Sequence, residues 1–247
     1  MTHLERVPVD PELAGDQWAG YVAAMREHGW HLLEVAPEDA CPDAVFVEDA
    51  VVVFRDVALI CRSGALSRRA ERTGAEEAVT AQGYRVERVR APGTLDGGDV
   101  LKVGGTVYVG QGGRTDAEGV RQLRAAFEPV GAQVVPVPVS RALHLKSAVT
   151  ALPDGTVIGH PSLVEDPSLF PRFRPVPEEA GAHVVLLGGD RLLMAASAPR
   201  SAELFAGLGY EPVPVDIGEF EKLEGCVTCL SVRLRGPVPE GSGTGRA

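Results

Sequence analysis

Residues 96–139 read DGGDVLKVGGTVYVGQGGRTDAEGVRQLRAAFEPVGAQVVPVPV. Two short apolar runs, 100–103 and 106–109, flank Gly104-Gly105, and a glycine pair at a two-residue connection is hairpin chemistry, since tight β-turns need positive φ. Thr115 opens a stretch with helical spacing that runs to about Pro129, and a third apolar run follows at 133–137. Strand, strand, helix, strand is a unit that cannot cover its own helix face. Such units become stable when neighbours stack on them.

The same alternation extends in both directions. Apolar runs bounded by turn residues occur at 30–35, 45–54 and 57–61, at 84–89, at 145–152 and 156–158, at 183–187 and 191–195, and at 210–215 and 226–234. Hairpin signals stand at Arg55-Asp56 and at Pro153-Asp154-Gly155. Asp10 with Pro11 starts a helix that carries Ala14, Trp18, Tyr21, Val22 and Met25 on one face and stops at Gly29. Further helices are expected over 66–82, ending at Gly83, and over 201–208, ending at Gly209. The pattern repeats roughly five times, which predicts units arranged around a common axis. A doubly wound parallel sheet is the competing arrangement. Against it, no G-x-G-x-x-G follows the first strand, and the paired strands inside each unit call for hairpins.

The chain has 247 residues, 45% of them hydrophobic but only 5% aromatic, so alanine, valine and leucine must fill most of the core. A net charge of -10 argues against nucleic acid or an anionic membrane as partner, because both reward positive charge. Acids at this density mainly keep a surface soluble, although they also suit a small cationic ligand. No segment has signal-peptide character or the length of a membrane span, so a cytoplasmic location is expected. No internal linker divides residues 1–235, and 236–247 read as a disordered tail.

Four cysteines do not make a disulfide scaffold. Cys226 and Cys229 form a lone C-x-x-C, open to three readings: a redox pair, half of a zinc site, or a nucleophile beside a bystander. No second ligand pair is present, as a zinc site requires. The following residues alternate apolar Leu230, Val232 and Leu234 with polar Ser231, Arg233 and Arg235, which is strand-like, whereas redox pairs open helices. Cys41 and Cys61 read as small buried apolar residues. Of the six histidines, His144, at the mouth of an apolar strand, is the acid/base candidate. Asp43, Glu48 and Asp49 in DAVFVED, and Asp96 and Asp99 in LDGGD, place acids at the ends of apolar strands. Burial there is costly unless the acids bind something, although Asp-Gly is also a plain turn signal.

Taken together, DAVFVED at 43–49, SGALSRR at 63–69, LDGGDVL at 95–101, GQGGRT at 110–115, LHLKSAVTAL at 143–152 and EFEKLEGCVTCLSV at 219–232 resemble the dimethylarginine dimethylaminohydrolase family of guanidine-modifying (pentein) enzymes. The resemblance implies an α/β fold, a five-bladed ββαβ propeller around a central active-site channel. It implies Cys229 as nucleophile, His144 as general acid/base and Asp96 as the carboxylate orienting it. It further implies Glu48 and Asp49 as acids lining a guanidinium pocket, and Asp43 as an acid near the substrate's α-amino group. Arg68 and Arg114 correspond to the arginines that hold its α-carboxylate, and Glu224 to an acid close to the substrate. The ligand would be a guanidino amino acid, with no metal and no organic cofactor, and a homodimer is open. Arginine deiminases, the alternative guanidine hydrolases, carry an aspartate two positions after the histidine; here that position is Lys146, which favours a methylated arginine. A non-catalytic arginine-binding protein is the alternative outside enzymes. The family's usual first strand precedes the segment matched by residues 2–10, so the resemblance implies either that this strand lies ahead of Met1 or that it is lacking here.

Overall fold

The computed structural model describes residues 7–235; the tail expected at 236–247 and the first residues of the 2–10 match lie outside the described residues. Four three-stranded sheets follow one another along the chain. The first holds β1 (Val51–Phe54), β2 (Val57–Ile60) and β3 (Arg85–Arg88), and the second β4 (Val100–Val103), β5 (Thr106–Gln111) and β6 (Gln133–Pro138). The third holds β7 (Val149–Ala151), β8 (Val157–Gly159) and β9 (Phe173–Pro175), and the fourth β10 (Val184–Gly188), β11 (Arg191–Ala195) and β12 (Glu211–Val215). In every sheet the first two strands form an antiparallel hairpin and the third runs parallel to the second. A parallel neighbour needs a crossover. It is made by α2 (Arg72–Ala81), α3 (Ala117–Phe127) and α4 (Pro199–Gly207) in the first, second and fourth sheets, while β8 reaches β9 through an irregular loop.

The expected hairpins form, with Arg55 (φ 54) and Gly104 (φ 57) supplying left-handed turn positions. Strand β9 is an addition that the sequence did not announce. Two expected helices are shorter: 66–82 begins as a separate 3-10 turn at Leu66–Arg68, and the helix after Thr115 is capped by Asp116, whose carboxylate accepts from Gly119 N. Two expected strands are absent. Residues 30–35 pair with no strand among the described residues, and 226–234 begin as a turn in which Cys229 N donates to Cys226 O at 3.0 Å. Turn hydrogen bonds at Cys226–Cys229 displace a ladder, and the Arg233 guanidinium folds back onto Thr228 O at 2.8 Å. The apolar alternation survives as packing: Val232 and Leu234 still lie on the first sheet.

Five apolar clusters fill the seams of the wheel. Val120, Leu123 and Phe127 of α3 pack between the first and second sheets, and Leu101, Tyr108 and Val137 meet Val149 and Val157 of the third. Phe205 of α4 lies with Leu152, Ile158 and Leu192, between the third and fourth. The fourth sheet meets Tyr21 and Met25 of α1 (Pro11–Glu27) together with Val227 and Leu230. Residues 232–234 then return to β1, β2 and α2. The ring closes through a fifth unit made of α1 and 226–235, which carries no sheet among the described residues. A cavity of about 950 Å³, lined among others by Trp18, Trp30, Val51, Val79 and Leu234, occupies the side of this unit.

Candidate active site

Immediately before their inner strands, the units turn through a single 3-10 loop: Val47–Asp49 before β1, Gly97–Asp99 before β4, Leu145–Ser147 before β7, Ala180–Ala182 before β10. Residues 227–230 make the corresponding turn in the fifth unit. A 3-10 turn exposes backbone donors and acceptors that a strand would pair, and here they join the units at the axis. Asp49 Oδ1 accepts Gly98 N at 2.8 Å, Asp99 Oδ1 accepts Leu145 N at 2.9 Å, and His183 Nε2 lies 2.9 Å from Ser147 O. Cys229 O accepts Glu48 N at 3.2 Å. Cys229 is thus tied to the turn that carries both Glu48 and Asp49.

Glycines at 97 and 98 make the approach feasible. A Cβ on Gly97 would collide with the Glu48 carbonyl oxygen, and one on Gly98 would stand 2.6 Å from Asp49 Oδ1 and 2.7 Å from His144 Nδ1. With those positions bare, His144 sits with Nε2 3.1 Å from Asp96 Oδ2 and Nδ1 3.9 Å from Asp49 Oδ1. Burial alone would discharge this imidazole, but Asp49, Asp96 and Asp99 outweigh it and push its pKa up to about 9. Burial likewise pushes Asp96 upward. The hydrogen bond and charge of His144, with Arg114 at 3.3 Å, outweigh that and hold its carboxyl below the usual range. The result is a buried imidazolium between carboxylates.

Glu48 is the most instructive acid. Its Oε1 takes Lys146 Nζ at 2.6 Å and Arg233 Nη2 at 2.7 Å. Its Oε2 is buried and has no hydrogen-bond partner among the described residues. A buried, unsatisfied carboxylate oxygen is costly and marks a place where a donor belongs. Beside it, Cys226 Sγ and Cys229 Sγ stand 3.3 Å apart, with Thr228 Oγ1 also 3.3 Å from Cys226. The sulfur–sulfur hydrogen bond makes the pair lose its first proton below the ordinary thiol range and hold the second above it.

The other expected residues fall into two groups. Glu48, Asp49, Asp96, Arg114, His144 and Cys229 surround or adjoin this centre, whereas Asp43 meets it only indirectly, its backbone carbonyl accepting from Arg68. Arg68 is buried and committed: Nε and Nη2 bond Glu71, Nη1 bonds Asp49, and Nη2 also meets the carbonyls of Asp43 and Phe46. In this arrangement it braces the 43–49 segment, so a ligand carboxylate would have to compete for it. Glu224 occupies the turn after α5 (Gly218–Glu221) with φ 63, one residue ahead of Gly225, at which a Cβ would strike the Phe46 ring. Three participants were not singled out from sequence. Glu71 stands three residues after Arg68, an ordinary helix-surface spacing. Arg233 looked like the polar side of a strand. Thr115, expected only to open a helix, donates to Asp99 Oδ2 at 2.6 Å.

Asp49, Asp96 and His144 are the one group of metal-ligating type that converges among the described residues. Its oxygens are already taken by N–H donors: Gly98 and Arg68 on Asp49, Gly64 and Arg114 on Asp96. That pattern suits a hydrogen-bonded acid/base unit. Cys226 and Cys229 gather no third ligand among the described residues.

No protein-family model matches the chain. A dimethylarginine dimethylaminohydrolase of Streptomyces coelicolor is 74% identical over 235 residues, 95% of this chain and 91% of that one. The chain belongs to the dimethylarginine dimethylaminohydrolase family. The Pseudomonas aeruginosa member is 36% identical over 225 residues, covering 89% of this chain and 87% of its own. A solved structure of that enzyme, a cysteine-to-serine variant complexed with citrulline, superposes with a TM-score of 0.88 at 34% identity, over 95% of this chain and 93% of that one. The fold is therefore the pentein α/β propeller expected of dimethylarginine dimethylaminohydrolases. No helix among the described residues is long and apolar enough to cross a membrane.

Proposed function

We infer that this chain hydrolyses Nω-methylated arginine to citrulline and methylamine or dimethylamine through a covalent intermediate on Cys229. The observation that carries the reading is the open, buried Oε2 of Glu48, set beside the sulfur pair and linked through Asp49 to His144. A guanidinium is a planar cation and a poor electrophile. A charge-assisted bond to the open Oε2 of Glu48, with the negative charge of Asp49 beside it, would fix its plane and hold its carbon against the thiolate, a proximity effect of up to about 7–11 kcal/mol in favourable cases.

Attack forms a C–S bond and a tetrahedral centre. His144, charged at neutral pH, gives its proton to the amine nitrogen as the C–N bond breaks, leaving an S-alkylthiouronium. The neutral imidazole then takes a proton from water, whose oxygen adds to the same carbon. The C–S bond breaks, and citrulline leaves. Asp96 and Asp49 hold the imidazole in place and favour its charged form. Arg114, half-buried beside Asp96, and Asp43 would receive the amino-acid end, with Arg68 joining if it is released from Glu71.

Lys146 supports the choice of a methylated substrate. Its ammonium occupies Oε1 of Glu48, so the pocket offers fewer acceptors than an unmethylated guanidinium could use, and a nitrogen bearing methyl groups needs fewer. Citrulline formation from dimethylarginine, monomethylarginine and arginine, measured side by side, tests this; equal or better turnover of arginine overturns it. Cys229→Ser should abolish turnover and leave the fold intact, because a hydroxyl is far less ionised than a thiol. Cys226→Ser should retain turnover, and the opposite pattern would assign the nucleophile to residue 226.

A further inference from the structure

The established family reaction needs one sulfur, yet two stand together. Cys226 and Cys229 lie at the ends of one turn, closed by Cys229 N to Cys226 O at 3.0 Å, and their sulfurs are 3.3 Å apart. A turn of this kind holds its first and fourth Cα within about 7 Å. Disulfides span Cα separations of about 4.4–6.8 Å with sulfurs about 2.05 Å apart, so a small rotation of the two side chains suffices. Cys229 is half-buried and Cys226 buried. An oxidant therefore reaches residue 229 first and finds the second sulfur behind it.

We propose that Cys226 and Cys229 are a redox modification site: a hydroperoxide converts them to a disulfide that masks the nucleophile and that a thiol reductant reopens. The proposal rests on Cys229 being the nucleophile for its effect on turnover, but not for the bond itself. The Cys229 thiolate attacks the peroxide oxygen, the O–O bond breaks, and a sulfenic acid forms on Cys229 as the other oxygen takes a proton from solvent and leaves as water or alcohol. The Cys226 sulfur then attacks the Cys229 sulfur, the S–O bond breaks, and the hydroxyl leaves as water with the remaining thiol proton. Two thiols lose two electrons and the peroxide gains them.

Selectivity follows from surroundings. Cys41 and Cys61 are both buried. Burial pushes the Cys61 thiol well up and raises Cys41 too, and acids nearby add to both effects, so neither offers much thiolate. At the pair, the proton shared between the sulfurs leaves one of them ready to ionise. A resolving sulfur in contact also diverts the sulfenic acid before it can be oxidised further.

The test is hydrogen peroxide, added stepwise to the intact chain, followed by alkylation and mass spectrometry of the tryptic peptide 223–233, which holds both cysteines. The expected product is that peptide unalkylated and lighter by two hydrogens, with Cys41 and Cys61 still alkylated. Citrulline formation should fall in step by at least about tenfold and return with dithiothreitol. In Cys226→Ser the same treatment should drive Cys229 to sulfinic acid, which dithiothreitol does not reverse. Wild-type sulfinic acid on Cys229 with Cys226 still alkylatable overturns the proposal, as does prior oxidation of Cys41 or Cys61. A chain that closes the disulfide but never makes citrulline retains the modification site and refutes the functional reading. A chain that makes citrulline but never closes the bond does the reverse.

Discussion

At the scale of single residues, the site is a contest between burial and charge, decided at His144 by the acids. Its pKa, pushed up to about 9 from 6.5, means that the folded state binds this proton more tightly than the unfolded chain. The stabilisation is complete below about 6.5 and is lost as pH rises through about 9. If the imidazolium is the proton donor, kcat/KM should hold through neutral pH and fall as pH rises past about 9 in a pH–rate profile. Asp99 supplies part of the field without facing the proposed substrate: its oxygens hold Leu145 N and the Thr115 hydroxyl. Asp99→Asn keeps an acceptor for Leu145 N and removes a negative charge. The alkaline limb should therefore move to lower pH in the variant, and an unmoved limb would mean that another group controls it.

At the scale of elements, a 3-10 turn feeding a short strand is the repeated device, and its success depends on glycine. Gly97 lies where a side chain would run into the backbone of the Glu48 turn. Gly97→Ala should cost about 1–3 kcal/mol, the range for overpacking a dense interior, and it should push Glu48 away from its place. A lowered melting temperature together with a raised KM would register both effects; a variant with unchanged stability would show that the turns are looser than they look. The turns also explain what the sequence made legible. Hairpins such as β4–β5 announce themselves through local chemistry, the Gly104-Gly105 pair. The beginnings of 45–54 and 145–152 read as strand because apolar residues there face the core, although the backbone is coiled into a 3-10 turn. The run at 226–234 misled for the opposite reason: its alternation is real, but no strand among the described residues forms a ladder with it. Arg68 is the sharpest case at the site. Its position was legible from the family motif, and its bonding to Glu71 was not, because an acid three residues along a helix-like stretch is commonplace.

At the scale of the molecule, each seam of the wheel is filled from two units at once. Phe127 belongs to α3 yet packs with Phe54, Val57 and Leu59 of the first sheet as well as Val107 and Val109 of the second. Phe127→Ala should cost about 3–5 kcal/mol, and because the ring shares its seams, the loss should appear as one shifted unfolding transition. Two separated transitions in calorimetry would show that the units melt independently. The charge of -10 belongs to this scale too, while the acids of the candidate site, Glu48, Asp49, Asp96 and Asp99, are the few turned inward.

The fifth unit joins helix α1, among the earliest residues, to 226–235, among the last. During synthesis on the ribosome, Tyr21 and Met25 are translated long before Val227 and Leu230, the partners that complete their seam. The nascent chain holds Glu48, Asp49, Asp96 and His144 while still lacking Cys226 and Cys229. Cys229 thus arrives with the same segment that shuts the ring, so the chemistry proposed for it waits on that closure.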